Sequence, residues 1–151
     1  MSTTILKDER ATVNAGMKFA HTLRGGDIIL LHGELGAGKT TFVKGIAEGL
    51  GVKENITSPT FTLMGIHNVP DEIASSASPS FNDLRLCHID TYRLKNVDEL
   101  RAIGAEDYIG DPHTITIIEW PEKILSLLKG KKTRALFFQH TKDGSRSLVV
   151  Q

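Results

Sequence analysis

The segment Gly33-Glu-Leu-Gly-Ala-Gly-Lys-Thr40 constrains the fold of this chain most, because it matches the pattern GxxxxGK[ST] in full. A short apolar run, Ile28–His32, precedes it, and an amphipathic pattern from Phe42 to Leu50 follows it. We therefore predict a buried parallel strand, a glycine-rich loop and a helix closed by Gly51. Glycines let successive backbone amides point at phosphate oxygens, and a helix N-terminus adds a partial positive charge.

Strand and helix patterns alternate along the rest of the chain. Strand patterns cover residues 3–6, 61–66, 84–89 and 114–119, and a terminal hairpin pattern covers 134–139 and 147–150. Helix patterns run from an N-cap at Asp8 to Gly25-Gly26, over 97–103, and from Pro121 to Gly130. We predict an α/β fold, a P-loop NTPase-like three-layer sandwich with a mostly parallel central sheet and an antiparallel C-terminal hairpin. Such sheets bind ligands beyond the carboxyl ends of their strands.

Composition limits the classes of protein to which the chain can belong. Its 151 residues suit a single domain, 1–151, with 40% hydrophobic and 24% charged residues. Eighteen basic and eighteen acidic residues cancel, which disfavours tight, unaided nucleic-acid binding. A single cysteine, Cys87, excludes an internal disulfide and a cysteine-based zinc site. No signal peptide or membrane span is apparent, so we expect a soluble cytoplasmic protein.

The phosphate loop predicts a nucleotide with its metal ion. Lys39 would reach the β- and γ-phosphates, and the Thr40 hydroxyl would bind Mg²⁺. A second acidic ligand is expected at a neighbouring strand end, where Asp90 and Glu119 are the candidates. Asp90 is otherwise a turn residue, and Glu119 either positions the attacking water or caps the helix at Pro121. Spacing alone does not decide which carboxylate contacts the metal.

Three further features lie close to these candidates in sequence. The segment Ser58-Pro-Thr-Phe-Thr62 carries hydroxyls, including that of Thr60, that would sense a γ-phosphate or only begin a turn. Arg93 would neutralise phosphate charge or stay in solvent. Trp120, the only tryptophan, either stacks near the nucleotide or packs in the core.

ATP is the expected nucleotide, because the guanine-reading [NT]KxD pattern is not matched: Asp143 stands one residue too early after Lys142. A small-molecule or nucleoside kinase remains an alternative, although residues 67–84, a possible lid, carry no arginine or lysine. A nucleotide-sensing module without turnover is a third possibility. Residues 74–80 are small and polar, and we predict a mobile loop there.

Several motifs occur together in the order typical of one family. They are the phosphate loop continued to Phe42, Ser58-Pro-Thr-Phe-Thr62, His88-Ile-Asp-Thr-Tyr-Arg-Leu94, Glu99-Leu100, Gly104, Asp107-Tyr108 and Ile118-Glu-Trp-Pro121. From about residue 5 to residue 125 the chain resembles the TsaE (YjeE) family, small bacterial ATPases of tRNA threonylcarbamoyladenosine biosynthesis. The connection at 67–83 is longer than is usual in that family.

The resemblance implies a weak, Mg²⁺-dependent ATPase that works with the proteins TsaB and TsaD. TsaD carries out the modification of adenosine 37 in tRNAs reading codons that begin with A, and the ATPase supports turnover of the complex. The tRNA would be contacted mainly through the partners. Lys39, Asp90 and Glu119 are the expected catalytic residues, and Thr40, Asp90 and Glu119 the expected metal ligands. Expected nucleotide contacts are Glu9 (near the adenine), Gly33, Glu34, Gly36, Ala37, Gly38, Lys39, Thr40, Thr41, Thr60 and Trp120.

Overall fold

The structure, a computed structural model, describes residues 2–70 and 83–151. Its strands are β1 (Ser2–Leu6), β2 (Ile28–His32), β3 (Met64–Asn68), β4 (Arg85–Asp90), β5 (Thr114–Glu119), β6 (Arg134–His140) and β7 (Arg146–Val150). Its α-helices are α1 (Glu9–Ala20), α2 (Lys39–Gly49), α3 (Asp98–Ala102) and α4 (Leu125–Leu128). Two 3₁₀ turns cover Ala105–Asp107 and Pro121–Ile124. Within these described ranges, no helix has the length and apolar character needed to cross a membrane.

All seven strands form one mixed sheet in the order β1-β7-β6-β2-β5-β4-β3. The central strands β6, β2, β5 and β4 run parallel to one another, which confirms the predicted α/β core. The predicted antiparallel C-terminal hairpin is β6–β7. Both edges are antiparallel, since β1 pairs with β7 and β3 pairs with β4, so parallel pairing is confined to the centre.

Two hydrophobic clusters cover the two faces of the sheet. Ile29 and Leu31 of β2 belong to the cluster that contains the apolar residues of α1 and α2. Ile28 and Leu30 belong to the other cluster, with residues of α3 and α4. Because side chains alternate along a strand, β2 is buried on both faces, as its continuous apolar run predicts.

Small residues allow α1 and α2 to pack closely. A Cβ atom added at Gly45 would lie 2.2 Å from the carbonyl oxygen of Val13. At Gly16 it would lie 2.4 Å from the carbonyl oxygen of Phe42. Any side chain at either position would push the helices apart. The close packing therefore fixes α2, and with it the loop that precedes α2.

The first predicted helix is confirmed in place but ends early. The Asp8 carboxylate accepts a hydrogen bond from the amide of Ala11 at 2.8 Å, as expected of an N-cap. The helix ends at Ala20 rather than at Gly25-Gly26. Leu23 is nevertheless fully buried, so the apolar periodicity continues past the helix and overstates its length.

Two other predicted elements need correction. Strand β3 begins at Met64 instead of residue 61, because a turn in which Leu63 donates to the carbonyl of Pro59 at 2.6 Å comes first. Phe61 is 82% exposed in that turn. The helix predicted after Pro121 is a 3₁₀ turn followed by the single turn α4. The mobile loop predicted at 74–80 lies outside the described residues.

Candidate functional site

The loop between β2 and α2 presents backbone amides at the carboxyl edge of the sheet. Gly36 and Gly38 have φ angles of 78° and 100°, in the left-handed region that favours glycine. No side chain caps the N-terminus of α2 at Gly38. The amides of the first helical turn lack partners within the helix, so they and the helix dipole can act on an anion.

Lys39 lies under this loop and is 4% exposed. Its ammonium group donates a hydrogen bond to the carbonyl of Gly33 and lies 3.5 Å from the ring centroid of Trp120. Burial lowers the pKa of Lys39, and the charges of Glu119, Glu122 and Asp90 oppose that shift. A buried cation at the start of a helix favours a polyanionic ligand, because the ligand would add negative charge that stabilises the charged form of the lysine.

Glu119 lies at the end of β5 and contacts residues of both α2 and β4. Its two carboxylate oxygens accept hydrogen bonds from the Thr40 hydroxyl at 3.0 and 3.1 Å. His88 Nε2 lies 2.6 Å from the same carboxylate, in a buried pair. The structure therefore brings together Thr40 and Glu119, which are 79 residues apart in sequence.

Asp90 is the register partner of Glu119 on the neighbouring strand β4. One of its oxygens accepts from the hydroxyls of Ser58 at 3.0 Å and Thr60 at 3.1 Å, and the other accepts from the Tyr92 amide at 2.9 Å. Thus Glu119 contacts Thr40, whereas Asp90 contacts the Ser58–Thr60 segment. The two carboxylates, which sequence spacing could not distinguish, therefore differ in their contacts.

Trp120 has a left-handed backbone, with φ of 61° and ψ of 49°. Such a conformation is costly for a bulky residue and often marks a functional site. Buried Thr91 donates its hydroxyl to the carbonyls of Glu119, at 3.1 Å, and Trp120. The Tyr92 ring lies 5.0 Å from that of Trp120. Trp120 is therefore held beside Lys39 at the site, which excludes the core position considered for it.

A cleft of about 280 Å³ joins these features. The predicted site residues that line it are Glu9, Gly36, Gly38, Lys39, Thr40, Thr41, Thr60, Asp90, Glu119 and Trp120. Gly33 and Glu34 line a neighbouring cavity instead, and Ala37 is fully buried. The structure thus does not bring the side chain of Glu34 into the cleft.

Sequence reasoning missed some residues of the cleft. Arg146 of β7 lines the cleft and donates to the carbonyl of Gly36 at 3.0 and 3.2 Å. Thr12 of α1 also lines it. No local motif marks these residues, since only the tertiary fold places them near the loop. Arg93, for which phosphate charge and solvent were the two alternatives, is exposed, with its guanidinium 4.3 Å from the ring centroid of exposed Phe61, and does not line the cleft.

The donor set fits a hard divalent cation next to a phosphate chain. Thr40 and Glu119 offer hydroxyl and carboxylate oxygens, and Asp90 adds a second carboxylate one strand away. Mg²⁺ prefers such ligands and is commonly bound by one or two carboxylates together with phosphate oxygens. The parallel core, the loop and these oxygens define a protein of the P-loop NTPase fold class.

Comparison with known proteins narrows the class to a family. The model of the family described as "Threonylcarbamoyl adenosine biosynthesis protein TsaE" matches residues 6–148. The chain belongs to the TsaE family.

Individual relatives agree with this assignment. The tRNA threonylcarbamoyladenosine biosynthesis protein TsaE of Treponema pallidum is 34% identical over 146 residues, which cover 97% of each chain. The TsaE protein of Synechocystis is 41% identical over 125 residues, 81% of this chain and 71% of that protein. The crystal structure of YdiB from Bacillus subtilis aligns with a TM-score of 0.75 at 26% identity, covering 99% of this chain and 83% of that one.

Proposed function

We propose that this chain is an ATP-binding protein and Mg²⁺-dependent ATPase that supports threonylcarbamoyl modification of adenosine 37 in tRNAs reading codons that begin with A. One observation carries the proposal: the uncapped start of α2, with Lys39, lies against a Thr40–Glu119 pair at the carboxyl edge of a parallel sheet. Membership in the TsaE family supplies the pathway. Because the modification takes place on tRNA, we retain the cytoplasmic location expected from the sequence.

The loop and Lys39 would bind the phosphate chain of ATP. Backbone amides after Gly38 offer hydrogen-bond donors, and the Lys39 ammonium offers positive charge that burial makes costly in the absence of an anion. Glu9 and Thr12 lie at the α1 side of the cleft, where they would bound the remainder of the nucleotide. Trp120 lies over Lys39 and would limit water at that end.

Thr40 and Glu119 would hold Mg²⁺, with Asp90 as an additional ligand or as the base that orients water. When bound, Mg²⁺ neutralises charge that develops on the transferred phosphoryl group. Asp90 accepts hydrogen bonds from the hydroxyls of Ser58 and Thr60, so it can link that segment to the proposed metal site. The Thr40 hydroxyl donates to the Glu119 carboxylate, which therefore lies at the start of α2.

The outer wall of the cleft supports the partner dependence that we propose. Ser58 lines the cleft and is exposed, and Phe61, three residues further on, is exposed too, so the chain alone leaves this side in contact with water. Electrostatic stabilisation is strongest in a water-excluded site, and a partner that covers the wall would provide one. We assign this role to TsaB and TsaD. The net charge of zero is consistent with leaving tRNA contacts mainly to those partners.

The test is ATP hydrolysis by the purified chain with and without TsaB, TsaD and tRNA, together with mass spectrometry of modified adenosine. We expect weak hydrolysis alone and a marked increase with partners. Lys39→Ala should abolish nucleotide binding and modification, whereas Lys44→Ala, an exposed lysine on the same helix, should not. ATP consumption that needs a small acceptor and no partner would indicate a kinase. Intact ATP in the complete mixture would indicate a nucleotide sensor.

A further inference from the structure

His88 is a buried polar residue that the proposed reaction does not itself use. It is fully buried on β4, and it does not line the cleft. Its register partner on β5 is Ile117, two residues before Glu119. Side chains two residues apart share a sheet face, so His88 and Glu119 lie on the face against which α2 packs.

Only one of the two ring nitrogens of His88 has a hydrogen-bond partner among the described residues. Nε2 lies 2.6 Å from a carboxylate oxygen of Glu119, and an ionised carboxylate offers only lone pairs, so we assign the proton to Nε2. Nδ1 is buried and has no hydrogen-bond partner among the described residues. A buried polar atom left unpaired costs free energy, so an apolar side chain would suit the core better. The bond to Glu119 is what a histidine adds here.

The carboxylate of Glu119 is consequently held from two directions. The Thr40 hydroxyl contacts both oxygens from α2, and His88 contacts Oε2 from β4. Because His88 fixes Oε2, Oε1 stays beside the Thr40 hydroxyl at the start of α2. Outer residues that orient a metal ligand raise metal affinity about 10–100-fold.

We propose that His88 is a positioning residue that orients Glu119 for a divalent cation bound with the nucleotide. The inference rests on the proposed Mg²⁺-nucleotide site and assigns a task to a residue outside it. His88 acts through Glu119 and contacts neither the nucleotide nor the metal.

The experiment measures how much Mg²⁺ strengthens ADP binding, as the ratio of affinities by calorimetry in excess Mg²⁺ and in EDTA. His88→Phe keeps a ring but removes the donor, and His88→Gln keeps a donor. We expect His88→Phe to lose about tenfold in this ratio while binding in EDTA stays unchanged. His88→Gln should retain most of it. His67→Phe is the matched control, since His67 on β3 forms a similar pair with Glu54, 2.9 Å away and outside the cleft.

Distinct outcomes separate this inference from the proposed function. If the wild-type chain binds no nucleotide, or Mg²⁺ does not strengthen binding, the proposed function fails. If wild type gains affinity from Mg²⁺ and His88→Phe gains as much, the positioning role is overturned. If His88→Phe does not fold, His88→Gln and His88→Asn decide, because only the longer glutamine can place its donor near the position of Nε2. An equal affinity ratio for the two variants contradicts the need for a donor there. Nitrogen NMR of the wild type adds a check, since protonation at Nδ1 alone would also overturn the role.

Discussion

The two carboxylates of the site lie side by side yet differ in what holds them. Glu119, Thr40 and His88 form what we call the inner half of the site. Thr40 lies on α2 and His88 lies on β4. Asp90 forms an outer half with Ser58 and Thr60, which belong to the turn before β3. His88 is fully buried, whereas Ser58 is exposed and Thr60 is partly exposed. Regular elements thus fix the inner half, and a surface turn holds the outer half.

This difference indicates which half is ready before a ligand binds. The inner half depends on strand register and on close packing of α1 against α2, neither of which changes without disrupting the core. The outer half depends on two hydroxyls near the surface, one exposed and one partly exposed, and such contacts open at low free-energy cost. We infer that the inner half is preformed and that the outer half rearranges when nucleotide or partner arrives.

Among variants of the two halves, the largest loss is expected for Glu119→Gln, and Asp90→Asn is the variant to compare with it. Glu119→Gln removes the charge beside Thr40 and should lower ATP turnover in the complete complex about a hundredfold, the usual loss when one preorganised electrostatic group is removed. Asp90→Asn should lower it less, because the flexible outer half can compensate. Steady-state phosphate release measures both. Equal losses would break the contrast between the halves.

The sequence predicted the parts of this arrangement that local patterns determine. The glycine loop, the buried strand β2 and the strand ends at Asp90 and Glu119 follow from short motifs and alternation. The Thr40–Glu119 contact and the role of Arg146 could not be derived, since they depend on how distant segments pack. Phe61 misled the prediction of β3, because a β-favouring aromatic residue suggested a strand where the turn after Pro59 prevails.

A smaller effect is expected from Thr91→Val, which removes the hydroxyl that holds the Glu119 and Trp120 carbonyls but keeps the shape. Unfolding free energy should fall by about 1 kcal/mol, the usual net value of one such bond. Thermal or urea unfolding measures this, and Trp120 emission reports whether the left-handed backbone at that residue persists. If ADP changes Trp120 emission in the wild type but not in Thr91→Val, and stability is unchanged, Thr91 serves the site alone.

Thr60→Ala, by contrast, tests the outer half and should leave stability within about 0.5 kcal/mol of wild type, as for most surface substitutions. ATP turnover with partners should fall only severalfold, because Ser58 retains its own bond to Asp90 at 3.0 Å. The double variant Ser58→Ala with Thr60→Ala should lose more. A large loss of stability in either variant would mean that the outer half is as rigid as the inner one.

The smallest expected effect is at Cys87, which adjoins His88 on β4 and is fully buried. Burial raises the pKa of its thiol to about 12, although the charge of Arg85 opposes the shift. The thiolate is the reactive form, and raising the pH from 7 to 9 leaves the group well below that pKa, so the folded chain should hardly react with iodoacetamide over this range. Mass spectrometry of Cys87 labelling with and without urea measures this protection, because the unfolded chain has an ordinary thiol.

Addition of ATP and Mg²⁺ should not change the labelling rate of Cys87 if β4 is already fully packed in the sheet. Rapid labelling of the native chain that nucleotide suppresses would show instead that β4 opens, and the inner half would then not be preformed.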